Sequence, residues 1–176
     1  MAALIAFLKS IPEIWVLLIS MIPFVELRGA IPVGAALGLP FYSNFGLAIL
    51  GNMIPVPFIL LLMPKILSFL SRFKIFSSFV NWLVKKADKN KSKVIADGAE
   101  QNGEKIKMNT KIFIALMLFV GIPLPGTGAW CGTLVASLFK LEKKYAFLSV
   151  LLGVILSGII MTLASYGIVG FLNFLA

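Results

Sequence analysis

Two apolar stretches of the chain are each interrupted by a cluster of prolines and glycines. The first cluster is PFVELRGAIPVG at 23–34, and the second is PLPGTGAWCG at 123–132. Apolar segments of helical length precede them, at 11–22 and 112–122. Lipid offers an open backbone no hydrogen-bond partners, so irregular chain at membrane depth must be buried in protein or line a watery cavity. The two breaks are therefore the candidate functional site.

Each break is followed by an apolar segment long enough to cross a bilayer. The first runs from about 45 to 70 and the second from about 145 to 172. The first contains three prolines, which kink a membrane helix without forbidding it, because neighbouring groups can satisfy the freed carbonyls. Just before it, Tyr42, Ser43 and Asn44 are interpreted as an uncharged turn. The pattern predicts an all-α integral membrane protein with two full spans.

The second half of the chain repeats the order of the first at an offset near one hundred residues. Pro23 corresponds to Pro123, and Gly51 corresponds to Gly153. Broken helices at equivalent places in a weak internal repeat are typical of transporters that are built from repeats. We therefore predict a single membrane domain over 1–176, with repeat 1 at about 10–72, a linker at about 73–108 and repeat 2 at about 109–172.

The helical pieces beside a break are too short to cross the membrane alone. At about 1.5 Å per residue, 112–122 and 129–139 are each roughly 17 Å long, whereas the hydrocarbon core is about 30 Å thick. The two pieces either form one interrupted span or dip in and return as a re-entrant hairpin. A return places Lys140 and Lys144 on the same side as the basic linker, which the positive-inside rule favours. The prediction is an inverted repeat in which each half is a re-entrant helical hairpin followed by a transmembrane helix, with both termini outside.

Composition and charge support a multi-pass protein of the cell membrane. Of the 176 residues, 60% are hydrophobic and 13% are charged. The net charge of +9 is concentrated at 65–111, where eleven Lys/Arg face four acidic residues. The positive-inside rule makes this segment a basic cytoplasmic linker, and the apolar spacing at 73–86 predicts a helix that lies in the membrane surface. A nucleic-acid partner is not expected, because the linker lacks aromatic readers on a folded basic surface.

The chain has no histidine and one cysteine, Cys131. A disulfide within the chain is therefore impossible, and a His- or Cys-rich metal site is excluded. Catalysis by serine–histidine or cysteine–histidine pairs is excluded by the same count. We expect no catalytic residue, no cofactor and no metal, so the protein is not predicted to be an enzyme.

The first break contains Glu26 and Arg28, the only charges between Ile14 and Pro64. Charges at membrane depth are expensive, so they are normally paired, face a cavity and have a function. Arg28 suits a phosphate or a carboxylate. Burial favours the protonated form of Glu26 and Arg28 favours the carboxylate, so Glu26 is a candidate proton carrier. A purely structural role is also open, either as a Glu26–Arg28 pair or as a contact from Arg28 to carbonyls that the second break frees.

The second break adds polar backbone and one hydroxyl instead of charge. Around Thr127, the glycines can present N–H groups at the start of a half-helix, and helix N-termini favour anions. Together with Arg28, they would form an anion site near the midplane, and Asn52 could line its cavity. The predicted hairpin-turn residues are Pro23, Gly29, Pro32, Gly34, Pro123, Pro125, Gly126, Gly128 and Gly132.

The two motifs and the long basic segment between them resemble the putative small multidrug export protein family over nearly the whole chain. That family is in turn similar to the DedA, or VTT, superfamily, whose fold has two opposed re-entrant hairpins, each followed by a transmembrane helix. The resemblance implies roles for Glu26 and Arg28 as the charged pair of the first hairpin, and for Pro123, Pro125 and Gly126 as the turn of the second. DedA proteins typically carry an acidic residue near that second turn, and here Thr127 and Gly128 stand instead.

The resemblance implies transport as the function. Members of the superfamily are associated with lipid scrambling, polyprenyl-phosphate recycling and proton-dependent transport. We expect a transporter of an anionic lipid phosphate or another amphiphile, with proton coupling, membrane lipids as partners and a homodimer that shields the hairpins. Two alternatives remain at this point: efflux of cationic drugs bound by Glu26, and a non-transporting assembly factor that acts through the basic linker.

Overall fold

The computed structural model describes residues 11–70, 101–102, 105–106, 108–124 and 127–175. Most of the predicted linker, including the surface helix at 73–86, lies outside these residues, and so do the turn residues Pro125 and Gly126.

The described chain is helical apart from one pair of two-residue antiparallel strands. In each half, two short helices flank a break and a longer helical stretch follows. The elements in chain order are α1 (Pro12–Met21), α2 (Glu26–Ala36), α3 (Phe41–Met53), α4 (Pro55–Leu70), β1 (Gln101–Asn102), β2 (Lys105–Ile106), α5 (Thr110–Gly121), α6 (Ala129–Leu138) and α7 (Lys143–Leu175).

The first short helix of each half ends just before a proline, as the sequence predicts. α1 ends at Met21, ahead of Pro23, and α5 ends at Gly121, ahead of Pro123. Proline has no N–H group for the helical hydrogen-bond ladder, and it disfavours helical backbone in the residue before it. At the start of α5, the side chain of Asn109 accepts a hydrogen bond of 2.9 Å from the backbone N–H three residues later, which is a helix cap.

The prediction of a turn at Tyr42, Ser43 and Asn44 is wrong. These residues lie inside α3, which begins at Phe41, and the turn lies at 37–40 instead. Pro40 is the N-cap residue of α3. The uncharged polar residues favour a turn by their type. The helix is favoured here because it buries Asn44 where its side chain donates a hydrogen bond to the carbonyl of Ile31.

Two helical stretches are apolar and long enough to cross a membrane. They are Phe41–Met63, with 23 residues, and Lys143–Ile168, with 26 residues. The first stretch is interrupted at Ile54, between α3 and α4, because Pro55 cannot donate to the helical ladder. The interruption is a local one, since the backbone of Ile54 keeps helical angles and its N–H donates to the carbonyl of Leu50 at 3.1 Å.

In the first half, α2 folds back along α1 to make a helical hairpin. Near the break, a Cβ atom built on Gly29 would lie 4.0 Å from Ile19. Farther from the break, a Cβ atom on Gly34 would lie 2.7 Å from Val16. The two helices therefore run in opposite directions side by side. In the second half, α6 packs against α5.

The helix that follows each hairpin packs closely on the hairpin's first helix. A side chain on Gly51 of α3 would overlap the backbone carbonyl of Leu17. A Cβ atom on Gly153 of α7 would lie 2.6 Å from the carbonyl oxygen of Met117. Both pairs are related by an offset near one hundred residues, so the weak sequence repeat has a counterpart in packing.

The second helix of each hairpin ends in the same left-handed turn. Gly38 follows α2 with a φ of +82°, and Lys140 follows α6 with a φ of +52°. The next residues, Leu39 and Leu141, each donate an N–H group to the carbonyl five residues earlier at 3.0 Å, and both leucines are buried. This arrangement is the Schellman motif.

The two halves are packed into one body by an exchange of contacts. α2 packs on α7 of the second half, and α6 packs on α4 of the first half. α3 and α7 run antiparallel, because Phe41 contacts Tyr166 while Ile49 lies against Gly158. Both halves contribute to one buried apolar core, which includes Val16, Leu27, Ile31, Val56, Val120, Val150 and Val154. This exchange brings the two breaks together.

Candidate functional site

The first break holds two residues in left-handed backbone conformations. The φ angles of Phe24 and Glu26 are +68° and +52°, and such a conformation costs about 1–2 kcal/mol for a residue that has a side chain. The N–H of Glu26 donates to the carbonyl of Ile22 at 3.0 Å. The turn places Glu26 at the first position of α2, where only 2% of its surface is exposed.

The second break is a turn closed by its own polar groups. The N–H of Leu124 donates to the carbonyl of Ile122 at 2.8 Å, and the N–H of Thr127 donates to the carbonyl of Leu124 at 3.2 Å. The Thr127 hydroxyl lies 2.9 Å from each of these two carbonyl oxygens. Gly128 then adopts a φ of +126° and leads into α6.

Glu26 caps α6, the helix that follows the second break. Its Oε1 atom accepts a hydrogen bond of 3.1 Å from the backbone N–H of Trp130, and the N–H of Ala129 also donates to the carboxylate. The first N–H groups of a helix have no partners within the helix and carry partial positive charge, so a carboxylate is stabilised there. Gly128 is required for this approach, because a Cβ atom at that position would overlap the carboxylate.

Arg28 holds the turn of the second break. Its Nη1 atom donates to the carbonyl of Leu124, and its Nη2 atom donates to the hydroxyl of Thr127 at 2.9 Å. The Nε atom is buried and has no partner among the residues that the structure describes. One guanidinium thus joins a backbone carbonyl and a side chain that lie about one hundred positions away in sequence.

Glu26 and Arg28 act on adjoining parts of the second break instead of pairing with each other. In the described part of the chain, the carboxylate is hydrogen-bonded to α6 and the guanidinium is hydrogen-bonded to the turn before it. Of the two structural roles that the sequence leaves open, the geometry therefore matches the contact of Arg28 with a carbonyl of the second break. Arg28 contacts Thr127, and Glu26 contacts the N–H group of Trp130 three residues farther along.

The start of α6 differs from the sequence prediction in what its N–H groups bind. The sequence predicts a site made by Arg28 and the half-helix N–H groups for an external anion. The structure places the chain's own carboxylate, Glu26, on those N–H groups. An external anion at this site therefore stays a prediction, and in the structure a carboxylate of the same chain makes the contact.

Asn52 is fully buried in α3, and both polar atoms of its amide lack partners among the described residues. The antiparallel register of α3 and α7, in which Ile49 meets Gly158, places Asn52 level with Ile155, one turn along. None of the described hydrogen bonds joins Asn52 to Glu26 or Arg28, so the structure does not bring it into their network.

The predicted hairpin-turn residues divide into breaks and packing positions. Pro23 and Pro123 lie in the two breaks. Gly29, Pro32 and Gly34 lie within α2, and Gly132 lies within α6 against Val120, so these are packing positions and not turns. Gly34 is in close contact with the side chain of Asn44.

Sequence reasoning misses one buried polar network around Asn44. Asn44 donates to the carbonyl of Ile31 at 2.8 Å and to the hydroxyl of Tyr166 at 3.0 Å, and that hydroxyl donates to the carbonyl of Leu39 at 2.6 Å. The available signal was an asparagine followed by a long apolar run. Sequence reasoning also misses that Glu26 binds the N–H groups of α6, which it predicts to face an external anion.

The described residues include no cluster of acidic, cysteine or histidine side chains that could hold a metal ion.

Comparison with known proteins gives one family. The family model described as "Putative small multi-drug export protein" matches residues 26–160, a range that begins at Glu26 and includes Arg28 and the whole second break. No curated protein and no solved structure matches the chain.

Proposed function

Since the chain belongs to the putative small multi-drug export protein family, we propose that it is a membrane transporter of the DedA/VTT-like type. Its substrate is an anionic lipid phosphate or a similar anionic amphiphile. Its transport is coupled to protons through Glu26. The observation that carries the proposal is the pair of contacts between the breaks. The Glu26 carboxylate binds the start of α6 and the Arg28 guanidinium binds the turn before it. A buried charged site between two broken helices is the usual place for substrate in repeat-built transporters.

The membrane arrangement in this proposal is an inverted repeat of two re-entrant hairpins. Two features support it: α2 returns along α1, and α3 runs antiparallel to α7. α1 has 10 residues and α5 has 12, which correspond to about 15–18 Å against a hydrocarbon core of about 30 Å. Each break then lies near the middle of the bilayer, the basic linker is cytoplasmic in the cell membrane, and both termini are outside.

Glu26 serves as an internal competitor for the substrate anion in this mechanism. The ionised carboxylate satisfies the N–H groups of α6 and keeps the two breaks together. When Glu26 is protonated, its charge is lost and its hydrogen bonds weaken, because charge-assisted bonds are roughly twice as strong as neutral ones. The freed N–H groups and Arg28 then bind the anionic group of the substrate. Release of the substrate lets Glu26 lose its proton and return to α6.

The backbone at the first break supports a working role for Glu26. Two left-handed residues, Phe24 and Glu26, lie within three positions of each other. Strained backbone persists only where the surrounding structure holds it, and it is concentrated at functional sites and switches. A carboxylate that only capped α6 could be supplied without this strain by an acidic residue before Ala129, and Gly128 stands there instead.

Export of a cationic amphiphile is the second candidate, and the family description favours it. In that case Glu26 would bind the cation directly, and the proton would compete with the cation for the carboxylate. Arg28 opposes this function because a guanidinium next to the carboxylate repels cations. The two candidates predict opposite effects of Arg28→Gln, since loss of the guanidinium weakens binding of an anion and strengthens binding of a cation.

The test is transport by the purified full chain in liposomes. A fluorescent polyprenyl phosphate is followed between leaflets, with and without a proton gradient, for wild type, Glu26→Gln and Arg28→Gln. We expect the gradient to accelerate movement in the wild type. Glu26→Gln should abolish the response to the gradient, and Arg28→Gln should reduce movement by about tenfold or more, because a charge-assisted hydrogen bond is lost.

Glu13→Gln is the matched control. Glu13 is an exposed carboxylate at the start of α1, so this substitution makes the same chemical change outside the site. Unfolding temperatures in detergent separate loss of function from loss of fold. If folded Glu26→Gln and Arg28→Gln variants transport as fast as wild type, the two residues have a structural role only and the proposal fails. If Arg28→Gln loses the phosphate but gains a fluorescent cationic amphiphile, the second candidate replaces the first.

A further inference from the structure

A cavity lies between α5 and α6, the two helices of the second hairpin. Its volume is about 380 Å³, which is within the range of roughly 300–1,000 Å³ that is typical of ligand pockets. The lining is almost entirely apolar and includes Ala115, Leu116, Phe119, Val135 and Phe139. Three of these residues, Ala115, Phe119 and Val135, are also exposed on the outer surface, so the cavity is a groove that opens sideways.

One residue that lines the groove, Ala115, is much smaller than its counterpart in the first hairpin. Leu17 and Met117 play the same packing role in the two halves, so Trp15 is the counterpart of Ala115. The first hairpin thus has an indole side chain where the second has a single methyl group. A tryptophan at position 115 is therefore a direct way to fill the groove.

One end of the groove is basic. Lys111 lines it, and Leu141 lines it from the turn after α6, between Lys140 and Glu142. Two further lysines, Lys143 and Lys144, begin α7 at this end. All four lysines are exposed and only one acidic residue, Glu142, lies among them, so this end of the groove attracts an anion. In the proposed membrane arrangement, this end lies at the level of the lipid head groups.

We infer that the groove between α5 and α6 binds one alkyl chain of an anionic membrane lipid, with the phosphate beside Lys111. Charge complementarity decides the occupant: an apolar slot of ligand size ends at a cluster of cations, which is the shape and charge of a lipid with an anionic head group. The inference deepens the proposed function, because the groove would be the place where the substrate docks before it reaches Arg28. Binding and transport are separate measurements, so each claim can fail without the other.

The experiment maps where an alkyl phosphate lies on the full chain. Hexadecyl phosphate that carries a photoreactive diazirine near the end of its chain is incorporated at low density into phosphatidylcholine nanodiscs with the protein. After illumination, the labelled peptides are identified by mass spectrometry. We expect labelling at Ala115, Phe119 and Val135, and competition by unlabelled hexadecyl phosphate but not by hexadecyltrimethylammonium.

Two variants test the two ends of the groove. Ala115→Trp inserts the side chain of the first hairpin and should abolish labelling in the groove, whereas Ile114→Trp, which adds the same indole at an exposed position beside the groove, should not. Lys111→Gln should raise the concentration of hexadecyl phosphate needed for competition about fivefold, because one lysine near a membrane surface contributes about 1 kcal/mol. Ala115→Leu repeats the test if the tryptophan variant does not fold.

Three results would overturn the inference. Labelling spread evenly over the outer faces of α3 and α7 would mean that the groove is not a site. Equal competition by the cation would mean that the head group is not selected by charge. A dimer that Ala115→Trp disrupts, with no labelling of the groove in the wild type, would mean that a second copy occupies it.

Loss of labelling in Ala115→Trp with unchanged transport would remove the groove from the route and leave the proposal for Glu26 intact.

Discussion

At the scale of the residue, the carboxylate of Glu26 reaches α6 only because residue 128 has no side chain. Gly128→Ala would both force alanine into a φ of +126° and overlap the carboxylate. We expect the free energy of unfolding to fall by about 2–4 kcal/mol, from backbone strain and the lost helix cap. Transport should fall with it. Reversible unfolding in mixed micelles and the liposome assay measure the two effects.

Variants at two other glycines separate the cost of backbone strain from the cost of displacing the Glu26 carboxylate. Gly38 also has a positive φ, but nothing lies within 4 Å of a Cβ atom placed there. Gly38→Ala should therefore cost only about 1–2 kcal/mol and leave transport intact. Gly46 is in a regular helix with open space, so Gly46→Ala should stabilise by about 0.5–1 kcal/mol. If Gly128→Ala behaves like Gly38→Ala, Gly128 is not required for the approach of Glu26.

The candidate site could be found from sequence only as far as its side chains are unusual. Glu26 and Arg28 stand out because they are the only charges in a long apolar stretch. Their partners do not stand out, because the carbonyl of Leu124 and the N–H of Trp130 are backbone groups. The sequence suggests a contact of Arg28 with the second break, but the contact of Glu26 with α6 depends on tertiary packing, which a single sequence does not encode locally.

At the scale of the element, Tyr166 ties the long helix α7 to the first hairpin. Its hydroxyl accepts a hydrogen bond from Asn44 in α3 and donates one to the carbonyl of Leu39 after α2. Tyr166→Phe removes both bonds and leaves two polar groups without this partner, so the free energy of unfolding should fall by about 1–3 kcal/mol.

Tyr145→Phe is the matched control for this prediction. Tyr145 lies on the same helix with 48% of its surface exposed, and loss of its hydroxyl should change the unfolding free energy by less than about 0.5 kcal/mol. Equal effects of the two variants would mean that the hydroxyl of Tyr166 does not hold α3 and α2 to α7. Transport by Tyr166→Phe should persist, because the network lies away from Glu26.

The elements also show why helix breaks are predicted better than helix starts. The ends of α1 and α5 follow from Pro23 and Pro123, which act through their own covalent structure. The start of α3 could not be predicted in the same way. Asn44 favours a turn by composition, but burial and two hydrogen bonds to other elements place it in a helix.

At the scale of the whole molecule, the two halves have similar contacts at several corresponding positions. The proline and glycine correspondences predicted two similar halves, and the equivalent turns at Gly38 and Lys140 support this. The exchange of partners, with α2 on α7 and α6 on α4, could not be predicted. All these helices are apolar on most sides, and apolar surfaces do not specify partners as charged or hydrogen-bonding groups do. The exchange matters most, because it brings the two breaks together.

The path of the chain through the membrane gives the last prediction. Single cysteines at Glu13, Tyr42 and Lys144 are introduced into a Cys131→Ala background, at exposed positions where α1, α3 and α7 begin. If each hairpin is re-entrant, a membrane-impermeant thiol reagent added to whole cells labels positions 13 and 42, and position 144 reacts only after the membrane is opened. If each hairpin instead crosses as one interrupted span, positions 42 and 144 lie on the same face and position 13 lies on the other.

Because only one long helical stretch separates position 42 from the linker, reaction at 42 and protection at 144 require the second hairpin to return to the face it entered. That return would place Thr127 and the start of α6 at mid-membrane depth, where an ionised Glu26 is least stable without the N–H groups it binds.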